Sequence, residues 1–209
     1  MNIPSKKDCY RLMCEMGMLD NIVAHCMQVC RVATLLTKNV LVQGVQLNFD
    51  LIQASALLHD ITKTRSIKTQ ENHAETGGQF LTERGYPEVG NIVRQHVTLD
   101  EYPNPLTLGE AQIINYSDKR VLHEEIVPLD KRLDYILAKY AKIPEHRERT
   151  RWLWKKTREM EAEMFRSLSF APEDLAQLIN AQDHSVDLAE FQQLRQSAGA
   201  IKTGRIKKS

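Results

Sequence analysis

Six side chains of the kinds that hold divalent metals, His25, His59, Asp60, His73, His96 and Asp118, are spread along the chain from position 25 to position 118. The sharpest signal is "LLHDITKTR" at 57–65, where an imidazole and a carboxylate stand side by side at the end of an apolar run, followed by Lys63 and Arg65. Taken singly, a histidine on an apolar face is usually a core residue bonded to a carbonyl. Six such residues on separate segments make a ligand set. Imidazole and carboxylate suit Mn, Fe, Co, Ni and Zn, and the lack of cysteine among the six argues against a structural zinc knot. A metal held this way lowers the pKa of bound water to roughly 7 and so supplies a hydroxide nucleophile at neutral pH. Lys63 and Arg65 would offset the charge of an anion bound there, with a solvated helix end as the plainer reading of both.

The elements that must position these residues read as helices nearly throughout, because apolar residues recur at three- and four-residue spacing and no long alternating run suggests a strand. The fold class expected is all-α. After Asp20 as N-cap, "NIVAHCMQVCRVATLL" puts Ile22, His25, Cys26, Val29, Ala33 and Leu36 on one stripe, so His25 points inward. Asp50 is the expected cap of "LIQASALLHDITK", with Leu51, Ala54, Leu58 and Ile61 as its core stripe and Ser55 one turn from His59. A helix over "HAETGGQFLTER" should stop at Gly85, and Pro87 should open the next, reaching about Val97 and carrying His96 beside Ile92 and Val93. After the loop "DEYPNPLT", Thr107 and Glu110 match a capping box for "LGEAQIINYSDKRVL". Its core face carries Ala111, Ile114, Asp118 and Val121, and an acid on such a face is costly unless paired or bound. Lys119 and Arg120, beside Asp118, are expected at the surface or in salt bridges.

On these residues the chain resembles the HD-domain superfamily of metal-dependent phosphohydrolases, whose pattern H…HD…D is matched by His25, His59-Asp60 and Asp118. "HDITK" is close to the HDIG form, with Thr62 in place of glycine. The resemblance spans about residues 19–141. It implies a compact helical bundle in which His25, His59, Asp60 and Asp118 bind one ion. His73 and His96 lie where one subgroup carries two further ligands for a second ion sharing Asp60. The implied cofactor is a pair of divalent transition ions, Fe, Mn, Co, Ni or Zn, with a mononuclear site as the alternative, and Asp60 and Lys63 would be catalytic. The implied substrate, held by Lys63 and Arg65, is a nucleotide or other small phosphorylated metabolite. Some relatives use the same ligands as di-iron oxygenases, and a nucleotide-sensing module without turnover is a third reading. The letters GYP in "RGYPE" do not indicate a cyclic-di-GMP phosphodiesterase, because the longer motif with paired histidines and a DG turn is missing. His123, His146 and His184 stand in polar surroundings outside the ligand pattern and are read as surface residues.

Composition sets the frame. A length of 209 residues, 42% hydrophobic and 26% charged, is enough for one soluble domain with a substantial core. Basic and acidic residues number 28 and 27, which leaves no overall field for nucleic acid or an anionic membrane. The start "MNIPSKKDCY" has no apolar signal core, and no stretch approaches the roughly 20 apolar residues of a membrane span, so the expected location is cytoplasmic. Cys9, Cys14, Cys26 and Cys30 lack CxxC spacing and read as buried free thiols. Residues 1–142 are expected to form the metal-binding domain. Residues 143–209 should form a helical extension, docked through Leu153, Met160, Met164 and Leu168 and ending in a basic, disordered tail.

Overall fold

The computed structural model describes residues 1–102, 107–182 and 185–205, the last from 198 onward as backbone only. The expected surface residue His184, the prolines of the 100–107 loop and the end of the basic tail lie outside the described residues. Among the described residues the molecule is all-α apart from one small hairpin. Helices α1 (Lys6–Glu15), α2 (Asp20–Val42), α3 (Phe49–Leu58), α4 (Lys63–Thr69), α5 (His73–Glu83), α6 (Pro87–Arg94) and α7 (Glu110–Lys119) lead to strands β1 (Val121–Leu122) and β2 (Glu125–Ile126). Helices α8 (Leu129–Lys139), α9 (Pro144–Phe165), α10 (Leu175–Asn180) and α11 (Ser185–Arg205) follow, with a 3-10 turn at Pro172–Asp174 before α10. Strands of two residues, paired antiparallel as Val121↔Ile126 and Leu122↔Glu125, are too short to leave an alternating pattern in the sequence. Among the described residues no helix is long and apolar enough to cross a membrane.

The predicted stripes are the buried ones. Ile22, His25, Cys26, Val29, Ala33 and Leu36 of α2 face the core, as do Leu51, Ala54, Leu58 and Ile61 on and after α3. Helices α2 and α3 pack on each other and on α7, while α3 and α7 both meet α6. All four cysteines are free, Cys9 and Cys26 buried, Cys14 and Cys30 half-buried.

Several helix ends differ from expectation, some through another local cap and some through a tertiary partner. Asn48, not Asp50, caps α3: its side chain accepts from the Leu51 N–H at 3.0 Å, and Asp50 falls inside the first turn. The Thr107–Glu110 capping box is not formed, because Glu110 reaches across and accepts from the Asn48 N–H at 2.9 Å. Asp20 is itself the first residue of α2; the Leu19 N–H before it donates to the Thr64 hydroxyl at 3.1 Å. Helix α6 ends at Arg94 rather than Val97, and the carbonyls just past its end are taken up from α7, where the Asn115 amide donates to Gln95 and His96 at 2.9 and 3.0 Å.

Helices α5 and α6 pack through bare backbone. A Cβ on Gly90 would lie 2.5 Å from the Gly78 carbonyl oxygen, and one on Gly78 would lie 2.7 Å from that of Gly90. Gly85, with φ +85°, makes the turn between them, as the sequence led one to expect.

Lys119 and Arg120 are not at the surface; each is 3% exposed. Arg120 engages all three of its nitrogens: Nε on the Val127 carbonyl at 2.8 Å, Nη1 on Tyr116 Oη at 2.6 Å and Glu161 Oε2 at 3.0 Å, Nη2 on the Pro172 carbonyl at 2.8 Å. One guanidinium thus ties α7 to the hairpin, α9 and the 3-10 turn. On α9, Leu153, Met160 and Met164 are buried and Leu168 just beyond it packs against the same core. Helix α11 docks on α1 through Phe191 against Tyr10, ring centroids 5.7 Å apart, and through Lys6 to Asp187 at 2.5 Å. Its backbone stays helical to Arg205, into the stretch read as a disordered tail.

Candidate metal centre

Six elements deliver the six ligand-type residues to one place. His25 comes from α2, His59 caps α3, Asp60 occupies the turn before α4, His73 opens α5, His96 follows α6, and Asp118 belongs to the last turn of α7. The four imidazoles form a row, His73–His96–His59–His25, with successive ring centroids 5.1, 5.0 and 5.2 Å apart.

Backbone carbonyls fix which ring nitrogen faces inward. His25 Nδ1 donates to the His123 carbonyl at 2.9 Å, His59 Nδ1 to Ala56 at 2.8 Å and His96 Nδ1 to Val93 at 2.7 Å. With Nδ1 engaged as donor, the neutral ring presents the Nε2 lone pair, the arrangement seen when outer hydrogen bonds orient metal-ligating histidines. The His25 bond depends on a hairpin turn in which His123, itself exposed, has φ +56° and aims its carbonyl back at α2. Thr62 holds the other end: its hydroxyl donates to the His73 carbonyl at 2.9 Å and lies 3.0 Å from the Thr76 hydroxyl.

The inward atoms are poorly satisfied by one another. His59 Nε2 and Asp60 Oδ1 are buried without a hydrogen-bond partner among the described residues, although His59 Nε2 lies 3.7 Å from Asp60 Oδ2 and 3.6 Å from Asp118 Oδ1. His73 Nε2 and His96 Nε2 approach to 3.2 Å, and both lie near Asp60 Oδ1, at 3.1 and 3.6 Å. His25 Nε2 meets Asp118 Oδ1 at 3.1 Å. Orphaned acceptors gathered around shared carboxylates are costly unless a cation lies among them, so the donor set fits a divalent metal. The ligand atoms fall into two groups, His25–His59–Asp60 and Asp60–His73–His96, each with its atoms within 4.8 Å of one another and Asp60 common to both.

Charge follows the same logic. Burial alone would raise the Asp60 carboxyl, but His59, Lys63, His73 and His96 around it hold it well below the usual carboxylate range. Burial likewise acts on Asp118 and is outweighed by the hydrogen bond from His25, the nearby ring of His59 and the charge of Arg132. Burial pushes the His96 ring down to about 4, which keeps it neutral and its lone pair free. For His59 burial is overcome by Cys26, Asp60 and Asp118, and the ring is raised well above its ordinary value: the pocket favours positive charge there, as proton or as metal.

Of the two predicted cations, the structure brings one to the centre. Lys63 Nζ is 3.5 Å from Asp60 Oδ1 and 3.0 Å from His73 Nε2. Arg65 points away and pairs through Nε with Glu71. Asn115 and Lys119 were missed by the sequence reading. The Lys119 ammonium donates to the carbonyls of His96 and Val97 at 3.4 and 3.2 Å, so both residues fix the backbone that carries His96. Arg132 of α8 was also missed; its Nη2 is 3.9 Å from Asp118 Oδ1. It lies three residues after Leu129 and four before Ile136, on the inward stripe of α8, the same signal that singled out Asp118. His123 and His146 are exposed, as read.

Comparison with known proteins agrees with this geometry. The uncharacterized protein MJ0778 of Methanocaldococcus jannaschii is 26% identical over 125 residues, covering 53% of this chain and 72% of that protein. No solved structure matches. The family model described as HD domain matches residues 22–161, a span that takes in every one of the six ligand-type residues and runs into α9, and the chain belongs to this HD domain family of metal-dependent phosphohydrolases.

Proposed function

We propose that this protein is a phosphohydrolase that uses two divalent transition ions, Mn, Fe, Co, Ni or Zn, to hydrolyse a nucleotide or other small phosphorylated metabolite. The observation that carries the reading is the pair of ligand groups meeting at an orphaned Asp60 oxygen with the Lys63 ammonium beside it. His25, His59, Asp60 and Asp118 would hold one ion, and Asp60, His73 and His96 the second. When bound, such ions supply hydroxide at neutral pH and withdraw charge from phosphoryl oxygens. The chain's own residues do the rest. Asp60 and Asp118 are kept ionised by the imidazoles and cations around them. His25, His59 and His96 are locked by carbonyls with Nε2 inward, so little reorganisation accompanies binding. Lys63, at the partly open edge of the site, is placed to take a phosphoryl oxygen and to offset the charge that grows there in the transition state.

The test is a screen of nucleotides and sugar phosphates with Mn-, Fe(II)- or Co-loaded protein in the absence of oxygen, with metal counted per chain. Phosphate release and two ions are expected, with His73→Ala and His96→Ala each falling towards one ion. Asp118→Ala should abolish turnover, and Lys63→Ala should slow it by roughly 10²–10³-fold. Oxygen consumption by a reduced di-iron form acting on a small anion, with no phosphate release, would replace this reading by an oxygenase. Nucleotide binding without either reaction would replace it by a sensing module.

A further inference from the structure

Near α7 lie a buried arginine, Arg120, and a half-buried one, Arg132, and they are treated differently. Arg120 has partners at Nε, Nη1 and Nη2, as described above, and is structural. Arg132, whose side chain is 15% exposed, has a buried Nε with no hydrogen-bond partner among the described residues. Its closest carboxylate, Asp118 Oδ1, stands 3.9 Å from Nη2, beyond the roughly 2.7–2.9 Å of a charge-assisted hydrogen bond. The guanidinium is steadied sideways, its Cζ 5.8 Å from the centre of the Tyr135 ring. Tyr135 is braced in turn by the edge of His123 at 5.3 Å and by the Lys139 ammonium, which donates to its hydroxyl at 2.7 Å. An oriented, half-buried guanidinium whose buried Nε lacks a partner is costly unless an anion arrives to complete it.

Position says which anion. Lys63 contacts His73, at one end of the row of imidazoles, while Arg132 adjoins Asp118, the partner of His25 at the other end. A single phosphate over the centre would satisfy the Lys63 end and leave the Arg132 fork unfilled. We infer that Arg132 binds a second phosphoryl group of the substrate, so that the preferred substrates are small metabolites carrying two phosphoryl groups, one over the metal ligands beside Lys63 and one on the planar fork of Arg132. This rests on the phosphohydrolase reading. The fork suits bidentate recognition of phosphate, which a lysine at the same place would not reproduce.

The experiment compares binding of inorganic phosphate and of non-hydrolysable methylenediphosphonate to Mn-loaded protein by calorimetry, with metal content measured before and after titration. The wild-type protein should bind the diphosphonate at least about 10-fold more tightly than phosphate, and Arg132→Ala should weaken the diphosphonate by about 10–100-fold while changing phosphate by less than about 3-fold. Arg132→Gln keeps the inner methylenes of the side chain but removes the charged fork and should behave like Arg132→Ala; Arg132→Lys should recover only part of the loss. Equal binding of the two ligands by the wild type, or an unchanged diphosphonate affinity in both neutral variants, overturns the inference and leaves the phosphohydrolase reading standing. Loss of metal in both neutral variants overturns it differently, by showing that Arg132 acts through Asp118. Failure of the metal-loaded wild type to bind either anion removes the phosphohydrolase reading as well.

Discussion

Thr62 occupies the position where the motif it resembles carries glycine, and its backbone, at φ −101° and ψ 2°, needs no glycine there. The side chain is buried, and its hydroxyl joins the segment after His59-Asp60 to the first residue of α5, bonding the His73 carbonyl at 2.9 Å. A sequence reading sees only a tolerated departure from the motif; the structure gives the hydroxyl a task, since the residue whose carbonyl it holds is itself a candidate ligand. Thr62→Val keeps the shape and removes the donor, leaving the His73 carbonyl without it, while the Thr76 hydroxyl keeps its bond to the Asn72 carbonyl. The expected cost is about 1–3 kcal/mol of stability. Affinity for the ion held by Asp60, His73 and His96 should fall by roughly 10-fold, the lower end of what loss of an outer hydrogen bond does to a metal site. Stepwise metal titration would show the weaker of two binding events shifting alone, and Thr62→Ser should restore it. Unchanged titration in the valine variant would mean that His73 is held by its helix without help.

At the scale of elements, the pair α5–α6 carries two of the six ligand-type residues, His73 at the start of one helix and His96 just past the end of the other. Their spacing is set by how closely the two helices approach at Gly78 and Gly90. Gly90→Ala would place a methyl 2.5 Å from the Gly78 carbonyl oxygen and 2.6 Å from Thr82 Oγ1, contacts that only separation of the helices can relieve. The expected loss is about 1–3 kcal/mol of stability. Weaker binding of the second ion should accompany it, whereas Ala at the exposed Gln79 of α5 should change neither. Calorimetric melting with parallel metal counts separates the two effects; a Gly90→Ala protein as stable as wild type would show that the approach is not tight in solution.

This pair also marks what the sequence could and could not reveal. Hydrophobic spacing exposed the inward stripes of α2 and α3, and polar metal-binding types on such stripes are rare enough that His25, His59 and Asp118 stood out. The turn at Gly85 was legible for its residue type. The end of α6 was not, because it is set by Asn115 and Lys119 of α7, which take the carbonyls of residues 95–97 from a distant part of the chain. Arg65 failed for the converse reason: an exposed cation takes the nearest carboxylate, and Glu71 is nearer than the centre. Lys119 and Arg120 were expected at the surface or in salt bridges; Arg120 does pair with Glu161, but the burial of both was not legible. Their partners, backbone carbonyls and Glu161, come from segments that periodicity cannot assign to a neighbour.

For the whole molecule, the question is where the metal-bearing unit ends. Composition changes near residue 143, yet Trp154, Met160, Met164, Phe165, Leu175, Ile179 and Phe191 beyond that point belong to the same buried cluster as α1, α2 and α7. The Trp154 indole donates to the Leu129 carbonyl at 2.9 Å, and the buried guanidinium of Arg120 finds Glu161 and the Pro172 carbonyl only in this part of the chain. Burying a side chain of this size contributes about 1.5–3 kcal/mol. Seven of them therefore match or exceed the about 5–15 kcal/mol by which a whole domain is stable. Cutting after Lys142 would expose the apolar surface they cover and strand the charge of Arg120 in what remains. That fragment should show no cooperative melting transition and should not hold metal. Cutting after Ser197 removes none of the contacts of Phe191, Asp187, Glu190 or Arg195 with α1 and α2, so its melting temperature should stay within about 2 °C of the full chain, a change worth under about 1 kcal/mol. Thermal melts of the two truncations, with metal content measured on each, decide the matter. A 1–142 fragment that melts cooperatively and binds two ions would place the boundary at the change in composition and reduce the helices after it to an appendage.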